Sequence, residues 1–282
     1  MNTLLPLLLS VAIAQPEPQA ETATADPASR REQFSSEYLT DARELQFQFP
    51  AAGSDPFELL ETPVMKWDTD DDWSGDVYVW LRDDRPQVVG CVLSGPTDEP
   101  RRNVYTEAHL LAEEPIAAAE LHPTHTWKPA TGLQRLPLGD APEPAKSRAA
   151  RLVQMRALAR SFSGRMEAYG LWDLRLLPQP LYRYDESAGN VVDGALFTYV
   201  WERSTDPELI LLLECRRGPA GDLTWQYAPV RFSTRELWLS RAEEELWHVD
   251  RHAEPRQGTN ELVYTTDWAR SLLLDEPADA DE

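Results

Sequence analysis

Apolar positions along this chain change period twice. Between residues 30 and 44, Phe34, Tyr38, Ala42 and Leu45 recur at helical spacing and predict an amphipathic helix. Between 146 and 162 the pattern returns through Leu152, Met155, Ala159 and Phe162, running on to Met166. Ala- and Arg-rich composition supports this second helix, and Gly164 and Gly170 help to end it. Elsewhere the period is two. Segments 77–81 and 88–93 flank Arg82-Asp83-Asp84-Arg85-Pro86 and predict a hairpin, with 104–111 as a third strand. Segments 174–184, 195–201, 209–215, 223–231 and 246–249 predict a second series.

The two series resemble one another. Phe57-Glu58-Leu59-Leu60-Glu61-Thr62-Pro63-Val64-Met65-Lys66-Trp67-Asp68 returns as Leu174-Arg175-Leu176-Leu177-Pro178-Gln179-Pro180-Leu181-Tyr182-Arg183-Tyr184-Asp185, with four of the twelve positions identical. Collinear landmarks follow: Gly75 with Gly194, Cys91 with Cys215, Ala108 with Ala228 and Trp127 with Trp247. A repeat of this kind fixes architecture before any single element is assigned. The alternative is that two antiparallel sheets share alternation and Gly-flanked turns without further kinship. The expected fold is α+β, with two pseudo-repeats at 30–135 and 145–252. Each would be an amphipathic helix followed by an antiparallel meander, packed about a pseudo-twofold axis.

The ends read differently. Residues 4–14 form a short apolar run closing in Ala12-Ile13-Ala14, which fits a secretory signal over 1–14, although the n-region has no Lys or Arg. Residues 15–29 are rich in Pro, Ala, Glu and Thr and predict a disordered linker; 270–282 predict a disordered acidic tail. No other segment approaches the roughly 18 apolar residues of a membrane span. Export is therefore expected, to the periplasm or the exterior, with no span in the mature chain. A net charge of −21 excludes nucleic acid as a partner, because phosphates need a basic surface. It equally disfavours an anionic membrane.

Candidate chemistry is sparse. Asp70, Asp72, Ser74 and Asp76, with Gly75 at the sixth place, follow the first part of a calcium loop. Leu81 replaces the closing bidentate Glu, so a solvated acidic turn is the competing reading. Calcium is the one cofactor the pattern offers. Exposed Trp faces bind sugars and peptides, and Trp73 and Trp201, near strand ends, are the candidate ligand-binding residues among ten Trp. Cys91 and Cys215 read as two buried thiols, with a disulfide as the alternative in an exported chain. His122 with His125 and His248 with His252 lack a spacing that enforces zinc. Lys146, Arg148, Arg151, Arg156, Arg160 and Arg165 form a basic helix face whose natural partners are the chain's own carboxylates. There is no Gly-x-Ser-x-Gly elbow, His-Glu-x-x-His, phosphate loop or dinucleotide fingerprint.

The string from Leu174 to Tyr184, followed by Asp193-Gly194-Ala195-Leu196-Phe197, resembles an uncharacterised family of exported planctomycete proteins. The resemblance spans about 30 to 250. It implies a bacterial, high-GC origin and no activity or catalytic residue. The expected function is non-enzymatic binding of a small molecule or protein through the sheets or the groove between repeats. A hydrolase using carboxylates at that interface and a calcium-stabilised structural module are the alternatives.

Overall fold

The computed structural model describes residues 27–185, 189–253 and 258–273. Helix α1 (Pro27–Glu44) leads into β1 (Glu58–Leu59), β2 (Met65–Asp68), β3 (Ser74–Arg82), β4 (Arg85–Pro96) and β5 (Arg101–Leu110). Three short strands follow: β6 (Ala119–His122), β7 (His125–Trp127) and β8 (Leu136–Pro137). Helix α2 (Arg148–Ala159) precedes β9 (Phe162–Glu167), β10 (Leu171–Leu176), β11 (Tyr182–Tyr184), β12 (Val191–Trp201) and β13 (Pro207–Arg217). The chain closes with β14 (Leu223–Arg231), β15 (Glu236–Arg241), β16 (Glu244–Val249), β17 (Gly258–Asn260) and β18 (Tyr264–Leu273).

Two antiparallel sheets dominate. The first runs β1-β3-β4-β5-β18, with β2 also on β3; the second runs β16-β15-β9-β10-β12-β13-β14-β8, with β11 on β12. A small third sheet orders β17-β7-β6. The β3–β4 turn places Asp83 and Asp84 at φ 51 and 62, the double positive φ of a tight two-residue hairpin. Strand β10 pairs through Leu171–Asp173 with β9 and through Leu174–Leu176 with β12, so the second sheet curls around one strand.

Period-two alternation sorts the side chains into three cores. Val77, Val79, Val89 and Cys91 of the first sheet meet Leu196, Ile210, Leu212, Ala228 and Val230 of the second. The opposite face of the first sheet, through Tyr78, Trp80 and Val92, packs under Phe34, Tyr38 and Ala42 of α1. The opposite face of the second, through Phe197, Tyr199, Leu211 and Leu213, packs under Met155, Leu158 and Ala159 of α2. Polar fasteners hold each helix. Arg31 pairs with the fully buried Asp76, and Trp80 Nε1 donates to Leu45 O at 3.1 Å. Arg151 pairs with the fully buried Asp193 at 2.9 Å, and Tyr199 OH donates to Ala159 O at 2.7 Å.

The expected α+β pair of helix-plus-meander repeats is overturned. The described residues are mostly strand with only two helices, and the two sheets differ in size and curl. Moreover, the last strand, β18, returns to the edge of the first sheet beside β5. What misled the alignment is a local arm. In each sheet a Pro-containing turn, at Pro63 or Pro180, sends a short strand back along the first long one. There an aromatic ring covers a glycine: a Cβ on Gly75 would sit 2.7 Å from the Trp67 ring, and one on Gly194 2.4 Å from Tyr184. Beyond the arm the landmarks separate. Cys91 faces Val77 and Glu107 in the inter-sheet core, Cys215 faces Asp193 and Trp225 on the α2 side, and both thiols are free and buried. Trp127 lies in the small third sheet whereas Trp247 lies in β16 of the second.

The other boundaries move slightly. Residues 27–29 of the expected linker are helix, and 270–273 of the expected tail belong to β18. Residues 1–26 and 274–282 lie outside the described residues. No helix among the described residues is long and apolar enough to cross a membrane.

One buried network pins the far end of the inter-sheet core. Glu214 is fully buried and meets Arg85 at 3.3 Å, Arg135 at 3.3 Å, Arg216 at 3.6 Å and the Tyr184 hydroxyl at 2.6 Å. Arg135 also donates to Leu133 O and Leu111 O at 2.8 and 2.7 Å. Removing one partner from a buried charge strands the other. Arg135→Met should therefore lower unfolding free energy by about 3–5 kcal/mol, read as a shift in urea midpoint. A loss below about 1 kcal/mol, the level of an exposed pair, would show that Arg135 has no such role.

Candidate functional site

Strand β13 carries two glutamates on the same face. Glu208, Ile210, Leu212 and Glu214 alternate toward the first sheet, with the aliphatic pair in the dry middle and an acid at each end. Both acids are buried, yet their surroundings push them in opposite directions. At Glu214, burial would raise the carboxyl pKa, but Arg135 and Arg85, with the Tyr184 hydroxyl and Arg216, bring it below the usual range. Glu113, beside it, accepts from Arg85 at 2.6 Å and Arg216 at 2.7 Å. Burial opposes this too, and the two guanidiniums still lower Glu113 to about 2.

The Glu208 end has the reverse balance. Burial raises Glu208; the Ser233 hydroxyl and Arg235, whose Nε is 3.9 Å away, only partly counter it. Asp206, two residues earlier in the β12–β13 turn, is raised well above the carboxylate range by burial and then by the fields of Glu208 and Glu107. Glu107 comes from β5 of the facing sheet. It is pushed up to about 8 by burial, with Tyr264 OH donating to it at 2.8 Å and Glu208 adding repulsion. Three carboxyls thus converge from two sheets; of the two arginines that line the same cleft, Arg235 approaches Glu208, and the exposed Arg251 pairs with none of the three among the described residues. Neither Glu107 nor Asp206 has an ion-pair partner among the described residues.

These acids line a cleft of about 480 Å³ between the two sheets. Its first-sheet wall is Trp67, Trp73 and Tyr105, and its second-sheet wall is Trp201, Phe232 and the Ser233–Arg235 turn. Trp73 stacks on Tyr105 with centroids 5.9 Å apart. Arg235 lies over the Trp201 ring at 5.9 Å. Trp201 Nε1 is buried and has no acceptor among the described residues. Chemically, the cleft offers flat apolar faces, a buried N–H donor with no acceptor among the described residues, and carboxyls whose protonated forms burial favours.

Of the residues singled out in the sequence, Trp73 and Trp201 come together on opposite walls of this cleft. The Asp-rich loop does not gather its oxygens. Asp72, at φ 60, binds Arg102 at 2.6 Å; Ser74 is held by the Tyr38 hydroxyl at 2.9 Å; Asp76 is taken by Arg31; Asp70 is exposed. The three aspartates form no group of ligand atoms within 4.8 Å. The one such group among the described residues is Glu236, His248 and Asp250 on the β15–β16 hairpin and its exit, where His248 stacks on Trp238. The other histidines are structural. Burial lowers His109 to about 4, His125 binds Asp267 at 2.9 Å, and His252 abuts Tyr264.

Glu107, Asp206 and Glu208 were missed. A signal existed for Glu208: an acid in period-two phase with Ile210 and Leu212 must be buried with them. Convergence of Glu107 from the other sheet has no such local sign. Comparison with models of known protein families, with curated proteins and with solved structures gives no match.

The two ends of β13 predict opposite pH effects. Glu107 titrates near 4.5 when unfolded and at about 8 when folded, so the folded state holds the extra proton between those values. Its stabilising contribution is complete below pH 4.5 and lost as pH rises to 8. Glu113 and Glu214 are held low, so their contribution is present above their unfolded values and lost in acid. Urea midpoints should therefore fall from pH 5 to pH 8, and Glu107→Gln should flatten that slope. A wild-type midpoint rising over this range would contradict the assignment.

Proposed function

We propose that this is an exported, non-catalytic binding protein whose site is the inter-sheet cleft, and that it takes a small polar ligand with a compact apolar face. The observation that carries this reading is the pairing of aromatic walls with a buried Trp201 Nε1 that has no acceptor and a half-buried Asp206 carboxyl that accepts no hydrogen bond among the described residues, in one cavity between two sheets. Such pockets, mostly apolar with a few convergent polar groups, are the usual form of a small-molecule site. The free Trp201 Nε1 and the Asp206 carboxyl supply the orienting groups. Export rests on the apolar run at 4–14, and N-terminal sequencing of the secreted product should find Gln15 first.

A thermal-shift screen of metabolites and saccharides tests the site. Ligand at 100 times its Kd stabilises by about 2.7 kcal/mol. Trp201→Leu and Trp73→Leu should abolish that shift, each measured against the variant's own unliganded melting temperature, since both rings also pack against the cores. Hits that shift both variants like the wild type would place binding elsewhere.

One observation favours a second reading. Glu107, titrating near neutrality beside other carboxyls, has the character of a general acid. A carboxylate hydrolase would cleave members of a chromogenic glycoside panel, with turnover lost in Glu107→Gln. No turnover across the panel rejects it.

A further inference from the structure

We propose that the ligand of the inter-sheet cleft is a small organic cation, an ammonium or guanidinium group held between the Trp73–Trp201 walls and the carboxyls of Glu107, Asp206 and Glu208. This rests on the cleft reading above and names the chemistry the cleft selects.

The argument is one of charge balance. Every other deeply buried acid named above is matched to arginine: Asp76 to Arg31, Asp193 to Arg151 and Arg183, Glu214 to three guanidiniums. In the cleft the one ion pair made by these three acids among the described residues is Glu208 with Arg235, at 3.9 Å; Arg251 lines the cavity as well but is exposed and pairs with none of them. The Asp206 carboxyl accepts no hydrogen bond among the described residues, although it lines the cavity. Arg235 itself shows what this surface accepts. Its guanidinium rests against the Trp201 face while approaching Glu208, so a cation already sits between an aromatic ring and an acid here. The cavity of about 480 Å³ leaves room for a second. A bound cation relieves carboxylate repulsion that Arg235 relieves only in part, and the ring faces favour it by their quadrupoles. A net charge of −21 draws cations toward the cleft and repels anions.

The test compares charged probes with uncharged partners of the same shape on the full-length protein. Choline is paired with dimethylbutanol, its neutral isostere, and glucosamine with glucose; agmatine supplies a guanidinium. Binding is read by titration calorimetry and by tryptophan fluorescence. At least one cation should bind, and where it has a neutral partner, that partner should bind at least about tenfold more weakly. Asp206→Asn should erase that preference, and Trp201→Leu should erase the fluorescence change. Circular dichroism and melting temperature establish that both variants fold; Glu208→Gln serves in place of Asp206→Asn if that variant does not. If cation and isostere bind alike, or only neutral probes bind, with sensitivity to Trp201→Leu, the charge inference falls and the cleft reading stands. If no cation binds, the inference also falls. If, in addition, no screened metabolite depends on Trp201 or Trp73, the cleft reading falls with it.

Discussion

Face-to-face packing of two sheets is the constraint on which this structure depends. Val77, Val79 and Val89 against Leu196, Ile210 and Leu212 make a dry middle, and any polar group on either inner face must find a partner inside or at the rim. Strand β13 meets that requirement twice, with Glu214 at one end and Glu208 at the other. Low polarizability between the sheets strengthens both outcomes. Where three arginines converge, the carboxylate is held ionised and the end is locked. Where acids converge and only Arg235 approaches one of them, at 3.9 Å, burial disfavours ionisation, and that end holds the cleft. The same residue type on the same strand face thus becomes a clamp or a site according to the count of guanidiniums around it.

Rigid elements hold that site. Glu107 and Tyr105 stand on β5 and Trp67 on β2, in the hydrogen-bonded first sheet, and Glu208 on β13 of the second, so their separation across the cleft is set by how the two sheets pack. Trp73, Asp206 and the Ser233–Arg235 turn come from connections. Placement on strands pre-organises the walls, which lowers the ordering cost a ligand must offset. It also means that a shift of one sheet against the other changes the cleft, coupling the dry middle to binding.

Much of the local structure was legible. The helical period over 146–162 gave α2, although Phe162 already opens β9, because its side chain joins the α2-side core from a strand. Alternation found β3, β4, β13 and β14 within a few residues. Strands β15 and β18 were not foreseen: in Glu236–Arg241 the alternating Leu237 and Leu239 make too short a run to stand out, and Tyr264–Leu273 mixes polar and aromatic residues and is half-buried at a sheet edge, where alternation weakens. The two-repeat architecture failed because pairing across distant sequence, β18 on β5 and β10 bent between β9 and β12, leaves no periodic trace. For the candidate site, Trp73 and Trp201 were legible as aromatics near strand ends. In the Asp-rich loop the partners of Asp76 and Asp72, Arg31 and Arg102, come from distant parts of the chain and leave no sign in the local run of carboxylates.

The arm that made the chain look repetitive has a consequence at each pole of the interface. In the first sheet it lays Trp67 over Gly75, with the indole Nε1 3.4 Å from Cys91 Sγ and the ring forming part of the cleft wall. In the second it lays Tyr184 over Gly194, with the hydroxyl donating to Glu214 at the arginine-rich end. One local device, an aromatic ring seated on a glycine beside a Pro-turned strand, therefore puts an apolar face on the cleft wall at one end and a hydroxyl among the arginines at the other. Both glycines are required by the ring above them, since a Cβ at either position would lie inside contact distance. The likeness of the two segments thus reflects a shared packing problem, and the difference between Trp67 and Tyr184 assigns one end to the cleft and the other to the clamp.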